Sequence, residues 1–365
     1  MEKKVLYVAS TCGHLRHFHR PYLAFLRQQG WTVHVACAGS EAGIPEACCM
    51  VEAPFRKSIT SLSNLAVSAR LRSLISRERY ELIIVHTSLA AFFTRLAVMG
   101  MKNRPKVINM VHGYLFGEET ALPKKLLMLG AEKLTAPVTD LLLTMNLADW
   151  ELSRKHRLGQ RLGFVPGIGL DPEKLSKPDP KDVRKLRKNL RIPANAYVLL
   201  YAAEFSARKD QQVLLRALRK LPERVVLLLP GDGELLPHCR KLAKRLGVAG
   251  RVWFPGRVKE MGRWYALADC VVSSSRSEGL PFHILEPMYL GIPVVATDAR
   301  GNRDLIGHKE TGLLYPVGDW EACAKQLCAV MAMDTGKMTA NARQKAENYL
   351  LPKVLPQVTE KYLSL

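Results

Sequence analysis

Short β-rich runs alternate with helical patterns along almost the whole chain, and half-way through the alternation begins again. Strand, helix and strand in succession is the pattern of a parallel sheet with crossover helices. In the first half, runs near Val5–Ala9, Thr32–Ala36, Leu82–Val85, Val107–Met110 and Leu141–Leu143 predict strands. Helices fall between them, including one after Arg20 and one from about Ser88. In the second half the strands lie near Val198–Ala203, Val225–Leu229, Val252–Phe254, Cys270–Ser273 and Pro293–Ala296. The restart predicts two similar α/β domains, and 365 residues exceed one ordinary compact core in any case. Gly167, Gly169, Pro172, Pro178 and Pro180 crowd into the stretch that marks the boundary. The expected division is residues 1–170, residues 171–350, and a terminal helix over 351–365 that is a candidate to cross back to the first domain.

In open parallel sheets ligands gather at the carboxyl ends of the strands, so the loops after strands carry the functional reading. The first strand runs into Ser10-Thr11-Cys12-Gly13-His14, where Gly13 either lets the backbone approach a ligand or makes a tight turn. His112, directly after another strand, reads equally as a ligand-contacting group and as a satisfied core residue. Gly231, in Pro230-Gly231-Asp232-Gly233-Glu234, ends a strand and leads into a helix. Lys209 stands at the start of the helix after the Val198 strand, where it can reach a phosphate.

The segment from Ser275 to Glu286 is the most specific. It sets Glu278 and Glu286 on either side of a loop that opens a helix. Glu286 lies in an apolar run, between Ile284-Leu285 and Met288-Tyr289-Leu290. A buried carboxylate there needs a hydrogen-bonding partner, and vicinal sugar or ribose hydroxyls can donate to both of its oxygens. The amides of Phe282 and His283 open the helix, where first-turn N–H groups and the helix dipole favour an anion such as a diphosphate.

Charge narrows the partner. A formal net charge of +21 calls for something anionic: nucleic acid, acidic lipid or a phosphorylated substrate. No recognisable nucleic-acid-binding module is present, and the basic residues lack aromatic interleaving, so nucleic acid is not expected. Arg56, Lys57, Arg70, Arg72, Arg77 and Arg79 cluster near Leu62, Leu65, Leu71, Leu74 and Ile75 at helical spacing, a pattern that suits an amphipathic helix on an anionic membrane surface. A second cluster, Lys181 to Arg191, is as readily a solvated helix face. No run approaches the roughly 20 apolar residues that span a bilayer, and Val5 to Ser10 is too short for a signal peptide, so a cytoplasmic location is expected. The eight cysteines are scattered and read as reduced.

Taken together, the residues resemble the family 4 glycosyltransferases of the GT-B fold, in the bacterial surface-polysaccharide branch. The resemblance runs from Lys4–Ala9 with Gly13-His14 and Phe18, through Pro54-Phe55-Arg56, His86-Thr87-Ser88 and His112-Gly113-Tyr114, to Gly231-Asp232-Gly233, Val252 to Gly256 and Glu278 to Ala296. It implies two Rossmann-like parallel-sheet domains facing each other across a donor-binding cleft. It also implies that Glu278 lies near the transferred sugar, Glu286 holds the ribose, and the Phe282 and His283 amides meet the diphosphate that Lys209 neutralises. Arg257 and Val258 would frame the base, and Gly13 and His112 would close over the donor from the opposite domain. Many relatives carry an arginine at the position of Glu204, and Arg208 is the candidate to supply that charge. Pro287 after Glu286 removes a helical N–H and suggests a helix that begins late or bends.

The activity so implied is retaining transfer of a hexose or N-acetylhexosamine from a nucleotide sugar, UDP being the expected nucleotide. The acceptor would be a polyprenyl-diphosphate-linked or other saccharide at the inner face of the membrane. The chain lacks an Asp-x-Asp element, so neither a metal nor another cofactor is expected. A nucleotide-sugar 2-epimerase and an inactive partner subunit are the alternatives within the same architecture.

Overall fold

The computed structural model describes residues 2–40, 43–56, 58–117, 120–175 and 178–365, so Lys57 of the basic cluster lies outside the described residues. The chain divides into two compact units. One comprises the residues up to Gly169 together with Pro352–Leu365, and the other Leu170–Leu351.

In the first unit, β1 (Lys4–Thr11), β2 (Thr32–Ala38), β3 (Cys49–Glu52), β4 (Leu82–His86), β5 (Lys106–Val111), β6 (Leu141–Thr144) and β7 (Arg161–Phe164) form a parallel sheet. Its order is β3-β2-β1-β4-β5-β6-β7. Val5, Leu6, Tyr7 and Val8 of β1 are wholly buried, because helices cover both faces of the sheet, and such strands read as continuous apolar runs. Val5 lies opposite Val33 on one side and Leu82 on the other, which fixes the register at the centre.

The helix Leu62–Glu78 corrects one expectation. Its residues Val67, Leu71 and Ile75 are buried against Ile83, Val85 and Val107, and Leu74 packs on the same cluster. That apolar stripe is therefore the core face of a crossover helix, and of the five apolar positions only Leu62 and Leu65 remain exposed. Arg72 is structural as well: its guanidinium donates to the carbonyls of Ala97 (2.9 Å) and Met99 (2.7 Å), closing the end of the helix Ser88–Val98. The cysteine reading is corrected too. Cys12, just after β1, and Cys37, in the neighbouring β2, form a disulfide across adjacent strand ends whose Cα atoms lie 5.2 Å apart.

The last helix, Leu351–Leu363, follows the second unit in sequence and packs in the first. It buries Val354, Val358 and Tyr362, and the Tyr362 hydroxyl lies 3.3 Å from that of Tyr7 on β1.

In the second unit, β8 (Tyr197–Leu200), β9 (Val225–Leu228), β10 (Val252–Trp253), β11 (Cys270–Ser273), β12 (Val294–Thr297) and β13 (Leu313–Tyr315) form a second parallel sheet, in the order β10-β9-β8-β11-β12-β13. Past β8 and β9 the two chains stay paired. The Ala203 amide donates to Pro230 (3.0 Å) and the Phe205 amide to Asp232 (2.9 Å). A Cβ on Gly231, whose φ is +147°, would stand 1.9 Å from the Ala203 carbonyl oxygen, so only glycine fits this close approach. Gly13 is different: it lies in the helix Cys12–Phe18, and an added Cβ would meet nothing within 4 Å.

Gly231→Ala should therefore destabilise the protein by about 3 kcal/mol or more, while Gly13→Ala should leave thermal unfolding unchanged or slightly raised. Melting curves of the two variants check this, and equal behaviour would remove the close-approach argument.

Candidate functional site

The carboxyl end of β11 runs through Ser273, Ser274 and Ser275, all fully buried, into Glu278 and the helix Phe282–Leu290. Facing it is the turn after β8 that carries Arg208 and Lys209. Among the contacts that join the loops, the Arg276 amide donates to the Arg208 carbonyl (2.8 Å), and the Ser274 hydroxyl donates to the Lys209 carbonyl (2.8 Å).

Glu278 is the centre of this cluster. The Lys209 ammonium donates to one of its oxygens, as does the Ser275 hydroxyl at 2.5 Å. Arg208 donates to the other at 2.7 Å and to the Ser277 carbonyl at 3.0 Å. Burial alone would raise the pKa of this carboxyl, but the Lys209 and Arg208 charges more than offset it and hold the value at about 2. Ser275 is in turn 2.6 Å from the Tyr201 hydroxyl. Behind the loop, a Cβ on Gly301 would stand 2.7 Å from the carbonyl oxygens of both Glu278 and Gly279, so a glycine at φ +82° lets the chain after β12 back the acidic turn.

The helix beyond Glu278 begins at Phe282, and its backbone bonding starts with the Ile284 and Leu285 amides, both donating to Pro281. The Phe282 and His283 amides thus occupy the first turn, where the positive end of the dipole lies. Pro287 does not delay the helix, which runs past it and ends at Gly291 in the left-handed region. Burial drives the His283 pKa down to about 3, leaving a neutral imidazole whose Nε2 is 2.9 Å from the Ser273 hydroxyl.

Glu286 lies one turn further on. The Tyr265 hydroxyl donates to it at 2.6 Å, and burial among apolar neighbours pushes its pKa up to about 7. Unlike Glu278, it has no adjacent cation in hydrogen-bonding contact among the described residues, and its charge is dearly held.

The structure therefore brings Arg208, Lys209, Glu278 and His283 into one cluster, with Glu286 on the same helix as His283. Gly231 joins the loop after β10 through its amide, which donates to Gly256 (2.8 Å), next to Arg257 and Val258. Arg257 is largely exposed and reaches Asp232 at 3.8 Å. Gly13 and His112 belong to the first unit, where His112 Nε2 lies 3.0 Å from His86 Nδ1. Sequence reasoning did not single out Tyr265, Tyr201, Ser275 or Gly301. The serine run at a strand's carboxyl end and a glycine in the loop after β12 were usable signals for two of them, whereas the tyrosines come from distant elements. Two cations and the opening turn of a helix around one carboxylate make a place that favours an added anion.

Residues 182–349 match the family described as Glycosyl transferases group 1, and residues 22–145 match Glycosyltransferase Family 4. The putative glycosyltransferase EpsD of Bacillus subtilis is 32% identical over 332 residues, which is 90% of this chain and 87% of EpsD. The chain belongs to the group 1 glycosyltransferases. This glycosyltransferase is also 23% identical to the Escherichia coli UDP-Gal:alpha-D-GlcNAc-diphosphoundecaprenol alpha-1,3-galactosyltransferase over 319 residues, 85% of the chain and 82% of that enzyme. Its fold is that of Anabaena HepE, whose crystal structure in complex with UDP and glucose matches with a TM-score of 0.81 and 22% identity over 100% of both chains. The glycosyltransferase thus has the two Rossmann-like parallel sheets of the GT-B fold.

The raised Glu286 pKa has a thermodynamic sign. Below about pH 4.5 the group is protonated in folded and unfolded chains alike. As pH rises towards 7 the unfolded chain ionises first, so the folded state loses stability, and the loss is complete above 7. Glu286→Gln should remove this loss, and the variant should gain on wild type by up to about 3 kcal/mol between pH 4.5 and 8. Urea midpoints of both proteins across that range measure it; parallel curves would show an ordinary carboxylate.

Proposed function

We propose that this glycosyltransferase moves a hexose or N-acetylhexosamine from a UDP-sugar to a membrane-associated, lipid-linked saccharide with retention of anomeric configuration, in surface-polysaccharide synthesis. The observation that carries the reading is the Arg208–Glu278–Lys209 cluster beside the first turn of the Phe282 helix. In such a transfer the bond between the anomeric carbon and the diphosphate oxygen breaks, and its electron pair leaves with the diphosphate. The acceptor oxygen bonds to the same face of that carbon and gives its proton to the departing phosphate. Charge grows most on the diphosphate, so that is where preorganised donors lower the barrier. Lys209, Arg208 and the Phe282 and His283 amides are the donors assigned to it. Glu278 is assigned to the hydroxyls of the transferred sugar, Glu286 to the ribose, and the chain at Arg257 and Val258 to the base. Arg208 reaching Glu278 supports its standing in for the cation that relatives carry at the Glu204 position.

The donor nucleotide is argued from kinship. HepE is described in complex with UDP, and the E. coli relative is named for UDP-Gal and a diphosphoundecaprenol-linked acceptor. UDP should raise the melting temperature of the purified protein, since a ligand that binds only the folded state must stabilise it. Lys209→Ala and Arg208→Ala should each weaken UDP tenfold or more, because each removes a cation assigned to the diphosphate, Lys209 from a buried position and Arg208 from a half-exposed one. A Lys209 variant that loses UDP beside an Arg208 variant that binds normally would refute the compensation by Arg208. No stabilisation by UDP or GDP would turn the reading towards an inactive partner subunit.

The membrane part of the reading rests on a helix other than Leu62–Glu78. On Leu122–Thr135, Leu122, Leu126, Leu127 and Leu134 are each more than half exposed, and Lys124 and Lys133 are exposed beside them. The helix is anchored from its other side, where Glu132 pairs with the fully buried Arg95 at 2.9 Å. Exposed leucines flanked by lysines suit the headgroup boundary of an anionic bilayer. No described helix is long and apolar enough to cross a membrane. Binding to phosphatidylglycerol vesicles should fall as salt rises and drop at least tenfold in a Leu126→Glu, Leu127→Glu double variant. Sedimentation with vesicles tests this, and salt-insensitive or absent binding would remove the membrane surface from the proposal.

A further inference from the structure

Four histidines meet at the carboxyl edge of the first unit's sheet. His14 and His19 follow β1, His86 ends β4, and His112 follows β5. In the strand order β3-β2-β1-β4, the crossovers leave β1 and β4 in opposite directions, so these histidines sit at the topological switch point, where open parallel sheets hold ligands. The hydrogen bonds among them run to one another and to one tyrosine. His14 Nε2 is 3.2 Å from His19 Nε2, His19 Nδ1 is 2.8 Å from the Tyr7 hydroxyl, and His86 Nδ1 is 3.0 Å from His112 Nε2. His86 Nε2 is buried with no hydrogen-bond partner.

The chain is also strained where it delivers His86. Thr87 has φ +64° and ψ 133°, a region a β-branched residue rarely enters, and its hydroxyl is held by the Ser10 amide (3.0 Å) and hydroxyl (2.7 Å).

We propose that His14, His19 and His112 form a binding site for a divalent transition-metal ion that prefers imidazole, such as Zn2+. One ring nitrogen from each of the three lies within 4.8 Å of the others. Metal–nitrogen bonds of about 2.0–2.1 Å in a tetrahedron put neighbouring ligands about 3.3–3.4 Å apart, and the His14–His19 pair already stands at 3.2 Å. The third edge closes by rotation of His14 and His112, which are partly exposed and so leave the ion a path inward. His19 is the fixed member. It is wholly buried, and its other ring nitrogen is held by Tyr7, the outer contact that orients a ligating imidazole. Three imidazoles leave a fourth position for water or an anion. The ion takes no step in the transfer proposed above, although its site shares His112 with the donor-facing position that the resemblance implies, so metal binding itself and not transfer is the readout.

Titration of the tag-free protein with Zn2+ by calorimetry, and with Co2+ by visible absorption, tests the site. One ion should bind per chain with a dissociation constant near or below about 10 µM, and the cobalt spectrum should be four- or five-coordinate without a thiolate charge-transfer band. His14→Ala and His112→Ala should each weaken binding at least tenfold while keeping the metal-free melting temperature. His17→Ala, an exposed histidine on the same short helix, should bind as wild type. Unchanged affinity in both the His14 and His112 variants, a thiolate band pointing to the exposed Cys48 and Cys49, or no one-to-one binding would overturn the proposal.

Discussion

Every strand of both sheets runs parallel to its neighbours, and most of what is distinctive here depends on that constraint. Parallel strands cannot be joined by tight hairpins, so each must be followed by a crossover, and all carboxyl ends in a sheet come out on one edge. Arg208 and Lys209 follow β8, Glu278 follows β11, and Gly301 follows β12. In the other unit, His14, His86 and His112 lie at the ends of β1, β4 and β5. The loops that meet in each unit are far apart in sequence; the sheet alone assembles them.

The two carboxylates of the candidate site show how one helix creates opposite electrostatic conditions. Glu278 precedes the helix, in reach of two cations and a serine, and stays ionised although it is buried. Glu286, one turn into the helix, has a tyrosine hydroxyl and an apolar surround, and holds its proton until about neutral pH. A carboxylate that is already satisfied can orient what binds beside it without rearranging. One that is not gains most from a ligand that donates hydrogen bonds to it.

The central strands were legible because burial on both faces leaves an uninterrupted apolar signal, as in Val5–Val8 and Val225–Leu228. The edge strands β3, β7 and β13 were not. Cys49–Glu52 and Arg161–Phe164 are half exposed, and Leu313–Tyr315 is only three residues long. Helical periodicity also misled: Leu71 and Ile75 repeat at the spacing of a surface-seeking helix, and that spacing is the same whether the apolar face meets lipid or a sheet. The acidic segment was readable as a site because its carboxylates interrupt an apolar pattern. Its support was hidden, since Tyr265 and Gly301 reach it only through the fold. The disulfide was hidden for the same reason, as Cys12 and Cys37 are brought together by strand pairing and not by spacing.

The helix Leu351–Leu363 follows the whole of the second unit in sequence, yet it belongs to the first unit, where Tyr362 covers Tyr7 beneath the histidines. As the nascent chain leaves the ribosome, the first sheet can pair its strands while that patch is still open to water. The second unit is whole before the closing helix emerges. The first unit thus waits for the second to be synthesised before its core can close, and until then Tyr7 and Tyr22 are available to chaperones or to misassembly.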